Sequence, residues 1–168
     1  GDVYSGLDAD TIQDDKFEYL QKTLRIISGY YGILRPFDKI LPYRLEMGTR
    51  LENENGNNLY KFWGDKITDV LNDDIEDNDI VVNLASDEYF KSINKEKLNA
   101  EIITPVFKEF KNDSYKVIAI YAKKARGLMS RFLIERKSKN VDDIKLFNTD
   151  GYTFDGNLST ENQLVFTR

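Results

Sequence analysis

Residues 122–139 hold seven cations and one carboxylate, a local net charge of +6 inside a chain whose net charge is −5. Their spacing matters as much as their number. Helical periodicity puts Ala122, Ala125, Leu128, Met129, Phe132 and Leu133 on one face, with Lys123, Lys124, Gly127, Ser130 and Arg131 on the opposite one. The spacing predicts a helix over 122–138, so Lys123, Lys124 and Arg126 would fall in its first turn. That end of a helix is the positive pole of its dipole, and each cation there costs about 0.3–1 kcal/mol. A bound phosphate or other anion would lift the cost, and Gly127 would let a ligand or another backbone come close. An internal network with carboxylates from elsewhere, or a solvated basic face, is the competing reading.

A second candidate lies at residues 28–38, where Gly29, Tyr30, Tyr31 and Gly32 precede Arg35 and Pro36. A helix, a glycine-flanked turn and a second short helix opening at Pro36 would form a helix-hairpin-helix element. Such elements hold DNA phosphates through backbone N–H groups with little base readout. Arg35 and Arg44, with Lys39 and Arg50, would add phosphate contacts. A helix end followed by a structural turn accounts for the same residues. The third candidate is the carboxylate pair Glu88 and Asp65. Ser86 reads as the N-cap of a short helix that contains Asp87 and Glu88. Glu88 or Asp65 would be the acid or base if Lys123, Lys124 and Arg126 clamped an anionic substrate.

Composition removes several classes of chemistry. The chain has no Cys and no His. Disulfides, thiolate or imidazole metal sites and the common Ser-His and Cys-His nucleophile pairs are therefore excluded. A metal would need oxygen ligands alone, and no metal or cofactor is expected. No apolar run approaches the roughly 20 residues of a membrane span, and no signal peptide is visible, so no membrane partner is expected.

The elements that must position these residues read as α+β in a single domain, a mixed sheet packed with helices. Helices are expected over 14–28, 58–71, 86–92 and 122–138, with a short one at 141–147. Strands are expected at 80–84, 101–109, 115–121, 152–154 and 164–167, with 43–47 possible as extended chain. Asn112-Asp113-Ser114 supplies the turn of a hairpin.

Six stretches together resemble one family. They are residues 1–7 (GDVYSGL), 24–36 (LRIISGYYGILRP), 42–48 (PYRLEMG), 59–65 (LYKFWGD), 82–90 (VNLASDEYF) and 121–131 (YAKKARGLMSR). The resemblance is to the YaaA family and runs over essentially the whole chain. It implies a cytoplasmic protein induced by peroxide, which limits the free iron that turns peroxide into DNA-damaging radicals. It also implies sequence-nonspecific binding of double-stranded DNA and a helix-hairpin-helix element. Carried over residue by residue, the hairpin is 28–38 and the basic groove is Lys123, Lys124, Arg126 and Arg131. Family members begin with a segment bearing a Ser-Pro-Ala-Lys motif that this chain lacks. The fold is therefore expected to be incomplete at its N-terminal side, with an open sheet edge or an uncovered apolar patch there. The rival reading is an enzyme acting on a nucleotide-like or other anionic small molecule.

Overall fold

Residues 1–168 are described by a computed structural model. In chain order its elements are α1 (Asp2–Leu7), α2 (Phe17–Thr23), β1 (Ile26–Ser28), β2 (Gly32–Leu34), α3 (Leu59–Trp63), α4 (Lys66–Asp74), β3 (Ile80–Val82), α5 (Asp87–Phe90), β4 (Glu101–Lys111), β5 (Ser114–Lys116), α6 (Ala119–Arg136), α7 (Val141–Lys145), β6 (Thr153–Phe154) and β7 (Gln163–Thr167). They pack as two compact units. One holds Gly1–Tyr19, Ile80–Leu84 and Glu101–Arg168; the other holds Leu20–Asp79 and Ala85–Ala100.

The first unit is built on β4. From Ile103 to Glu109 every second side chain of this strand is buried, the period of a strand with one face on a core. The sheet order is β3-β4-β7-β6, with β5 paired to β4. The pairings β3–β4 and β4–β7 are parallel, whereas β6–β7 and β4–β5 are antiparallel, so the sheet is mixed. Asn112 and Asp113 both take positive φ (53° and 63°) and close the β4–β5 hairpin, as its turn chemistry predicts. Ile103 and Phe107 meet Ala125 and Met129 of α6, Ile144 of α7, and Phe147, Tyr152, Leu164 and Phe166. The Phe107 ring lies 5.3 Å from Tyr152 and 5.5 Å from Phe166, within the range of favourable aromatic contacts.

Helix α1 lies against α6 at backbone contact. A Cβ built on Gly127 would stand 1.9 Å from the Val3 carbonyl oxygen, and one on Gly6 would stand 2.3 Å from that of Lys124. Only glycines permit such an approach. Of the two partners foreseen for Gly127, it is another backbone that occupies the space.

The second unit departs from expectation in its first third. The helix predicted over 14–28 ends at Thr23, and Ile26–Ser28 instead pairs antiparallel with Gly32–Leu34. The helix-hairpin-helix expected at 28–38 is thus a β-hairpin, with no helix opening at Pro36. Part of the reason is local. Ile26 and Ile27 are adjacent β-branched residues that favour extended chain. The Ser28 Oγ accepts the Tyr31 N–H at 3.0 Å, and Gly32 takes φ 81°. Residues 43–47 form no strand. The helix read over 58–71 breaks at Gly64 (φ 52°) into α3 and α4, and Asn58 caps α3 by accepting the Lys61 N–H at 2.8 Å. No helix is long and apolar enough to cross a membrane.

Candidate functional site

Helix α6 starts three residues earlier than its apolar spacing suggests. Val117 and Ile118 leave the β5 strand after only three residues, and the helix opens at Ala119. Lys123, Lys124 and Arg126 therefore sit in its second turn, not its first. The dipole effect fades within one turn, so the expected cost of placing cations there falls away. What α6 fixes instead is direction. Ala122, Ala125 and Met129 are buried, and this rotates Lys123 and Lys124 out to solvent. Neither lysine forms an ion pair. Arg136, Lys137 and Lys139 are also exposed at the far end of the helix, where Arg136 stands 4.0 Å from Asp143. Arg126 is half-buried, and its carbonyl accepts the Ser130 hydroxyl at 3.0 Å.

Arg131 belongs to a different job. Its Nη1 donates to the carbonyls of Leu7 (3.2 Å) and Asp8 (2.8 Å) and to Thr11 Oγ1 (2.8 Å). Its Nη2 donates to the Thr11 carbonyl at 3.2 Å, and its Nε to Glu135 at 2.7 Å. The planar fork thus ties down the turn where α1 ends by adding donors to its carbonyls, as basic side chains do at helix C-termini. Arg131, carried over from the sequence as part of the basic groove, is here engaged by its own chain. Arg131→Ala is expected to lower stability by about 0.5–1.5 kcal/mol, since the part-buried Leu7 carbonyl and the exposed Asp8 and Thr11 carbonyls lose a donor. Urea unfolding reads this, and an unchanged midpoint would show that the cap is dispensable.

In the second unit the hairpin residues are engaged in packing. Trp63 Nε1 donates to the Gly29 carbonyl at 3.1 Å, and a Cβ on Gly32 would stand 2.9 Å from the Trp63 ring. A bulky residue at Gly32 would therefore disturb folding as well as any ligand contact. Tyr30 and Tyr31 form an aromatic cluster with Tyr43, with ring centroids 4.9–5.5 Å apart. Arg35 pairs with Asp74 at 2.9 Å, and Arg25 shares the same carboxylate at 3.2 Å. Arg44 is exposed.

With these positions fixed, the chain can be set beside known proteins. The family described as Peroxide stress protein YaaA matches residues 1–158. The chain belongs to the peroxide stress protein YaaA family. Among its curated relatives are UPF0246 proteins of Aliivibrio fischeri (strain MJ11) and of Idiomarina loihiensis. Each is 55% identical over 170 residues, an alignment covering 100% of this chain and 66% of the relative. The chain thus spans a little under two thirds of the length of these relatives.

Within this YaaA-family chain, the two carboxylates considered for acid–base work lie in the second unit, and the α6 cations lie in the first. Glu88 Oε1 accepts the Gly48 N–H at 2.8 Å, and the Glu88 carbonyl accepts the Tyr60 hydroxyl at 2.7 Å. Burial, then the nearby Glu88 charge, raises the Tyr60 phenol above its ordinary value. Asp65 accepts from Asn94 (3.2 Å) and from Lys97 (3.4 Å). The Asn94 hydrogen bond first, then Lys97, holds its carboxyl below the usual range. Ser86 precedes α5 but makes no side-chain cap. No group of three or more carboxylates gathers where it could hold a metal ion.

One polar constellation escaped the sequence reading. Tyr152 donates to Glu109 Oε2 at 2.6 Å in the interior, and Arg168 Nε donates to the other Glu109 oxygen. Arg168 Nη1 also reaches Asp150, binding its carboxylate and its carbonyl at 2.9 Å each. The guanidinium stacks over the Tyr152 ring, 4.4 Å from its centroid. The available signal was the phase of β4. Glu109 continues the buried series of Ile103, Pro105 and Phe107 and so had to find a partner.

Proposed function

We propose that this chain supplies a phosphate-binding surface to a peroxide stress protein that holds double-stranded DNA without reading its bases, and so helps limit free-iron-driven DNA damage. The observation that carries this reading is the outward pair Lys123 and Lys124. Both are exposed and free of carboxylate partners in a chain of net charge −5. Unpaired lysines aimed at solvent suit a polyanion, because each phosphate they neutralise releases a condensed counterion. Arg126 stands beside them on α6, and Arg35 and Arg44 add positive charge in the second unit. The aromatic hairpin of Gly29, Tyr30, Tyr31 and Gly32 is retained here as a structural support rather than a phosphate cradle. The enzyme reading draws less support. Asp65 is committed to Asn94 and Lys97, and Glu88 to the Gly48 N–H. The Asp65 carboxyl, held low by its donors, is a weak base and is not protonated near neutrality.

The test uses the full-length protein and duplexes of unrelated sequence. Lys123→Ala with Lys124→Ala should weaken binding alike on all of them. It should also flatten the slope of log affinity against log salt by about one to two units, at about 0.9 per lost phosphate contact. Arg131→Ala, which removes a cap, should leave that slope unchanged in the folded protein. A double lysine variant with the parent's affinity and slope that nevertheless loses peroxide protection would overturn the DNA reading and favour an anionic small molecule.

A further inference from the structure

We infer that the open edge of β3 seats a further strand, supplied by the part of the protein's family length that this chain does not span. The larger sheet ends on β3, which pairs with β4 and with no strand beyond it. Its other end is β6, only two residues long, a short edge of the kind that blunts unwanted pairing. Strand β3 is itself only three residues long, but it carries none of the other edge devices. Ile80-Val81-Val82 holds no lysine, proline or glycine, and its pairing with β4 runs in register without a bulge.

Its hydrogen-bonding groups face both ways. The Asn83 N–H donates to the Ile103 carbonyl at 2.8 Å, which assigns the N–H of every second residue to β4. In a parallel ladder the intervening residue turns its N–H and C=O to the other side, so those of Val82 point to the unpaired edge. The strand is held firmly enough to act as a template, because Ile80, Val82 and Leu84 pack against the core of Phe107 and Phe166. Two of the sheet's pairings, β3–β4 and β4–β7, are parallel, and apolar parallel strands normally run inside a sheet.

The occupant follows from length. Relatives 55% identical to this chain over its whole extent share only 66% of their own residues with it. The remaining third of each is ample for a strand. A second copy of the chain is the competing occupant, and it differs in one property: its pairing would depend on concentration.

Amide hydrogen exchange in the ¹⁵N-labelled full-length protein tests the inference without any substitution. The Val82 N–H should exchange on the order of 1,000-fold more slowly than an open peptide, as is also expected of the Asn83 N–H, and at a rate independent of protein concentration. Rapid exchange at Val82 beside a protected Asn83 would overturn the proposal. So would protection at Val82 that grows with protein concentration, which would assign the edge to a second copy.

Discussion

Replacing Gly127 by Val in the full-length protein is expected to cost about 3 kcal/mol or more, at or beyond the upper end of ordinary overpacking. The new Cβ would meet backbone rather than a side chain that can swing aside. It would stand 1.9 Å from the Val3 carbonyl oxygen and 2.8 Å from the Leu7 nitrogen. Helix α1 would have to leave α6, and the Arg131 cap on its last carbonyls would leave with it. The melting temperature should fall by about 6–12 °C for a protein of this size. Gly156→Ala is the control. Its Cβ would lie 3.6 Å from the Phe154 ring, an ordinary contact, so stability should stay within about 0.5 kcal/mol of the parent. Equal melting of the Gly127 variant and the parent would show that α1 does not dock by backbone contact.

The second large effect is expected at the buried network of the first unit. Glu109→Leu removes the acceptor of both Tyr152 and Arg168. A fully buried pair broken on one side costs about 3–5 kcal/mol, and here about 2–4 is expected, because Arg168 keeps Asp150 and its side chain is 26% exposed. Tyr152→Phe should cost less, about 1–2 kcal/mol, since it leaves the Glu109–Arg168 ion pair in place. The same network sets an alkaline limit. Burial, reinforced by the hydrogen bond to Glu109, raises the Tyr152 phenol above its ordinary value near 10. Above pH 10 the unfolded chain gives up this proton while the folded protein keeps it. Proton binding is then greater in the folded state, and stability must fall as pH rises. Below pH 10 the contribution is fully present. Urea unfolding at pH 8 and at pH 10.5–11 should show the decline in the parent and a shallower one in Tyr152→Phe. Identical declines would place the alkaline limit on other groups.

The fate of the expected site residues shows how far spacing alone can reach. Apolar periodicity gave α6 its inner face correctly at Ala122, Ala125 and Met129, and hence the outward direction of Lys123 and Lys124. It did not give the helix its start. The three residues before Ala122 are as compatible with the end of a strand as with a first turn, and the short β5 decides between them. Arg131 looked like Lys123 and Lys124 in sequence. It differs because α1, more than 100 positions earlier in the chain, ends beside it and presents the Leu7 and Asp8 carbonyls to it.

The segment from Thr23 to Leu34 shows the reverse case. Phe17, Leu20, Leu24 and Ile27 do fall at helical spacing, yet Ile26 and Ile27 end in a strand. The hairpin is held by the Ser28–Tyr31 bond, by Gly32 under the Trp63 ring and by the Trp63–Gly29 bond, and Trp63 is more than 30 residues away. Local pattern was outweighed there by packing that no local window contains.

By itself the sequence determined the absence of thiol and imidazole chemistry, the α+β mixture, the β4–β5 turn, the buried phase of β4 and the family. All of these follow from residue identity or from short-range periodicity. Only the tertiary structure decided which cations stay free, which glycines serve a helix crossing, where Glu109 finds its partners, and that β3 ends this chain's sheet with the Val82 N–H on the open edge. Each of those depends on segments distant in the chain meeting in space, and a side chain's role is set by what it meets.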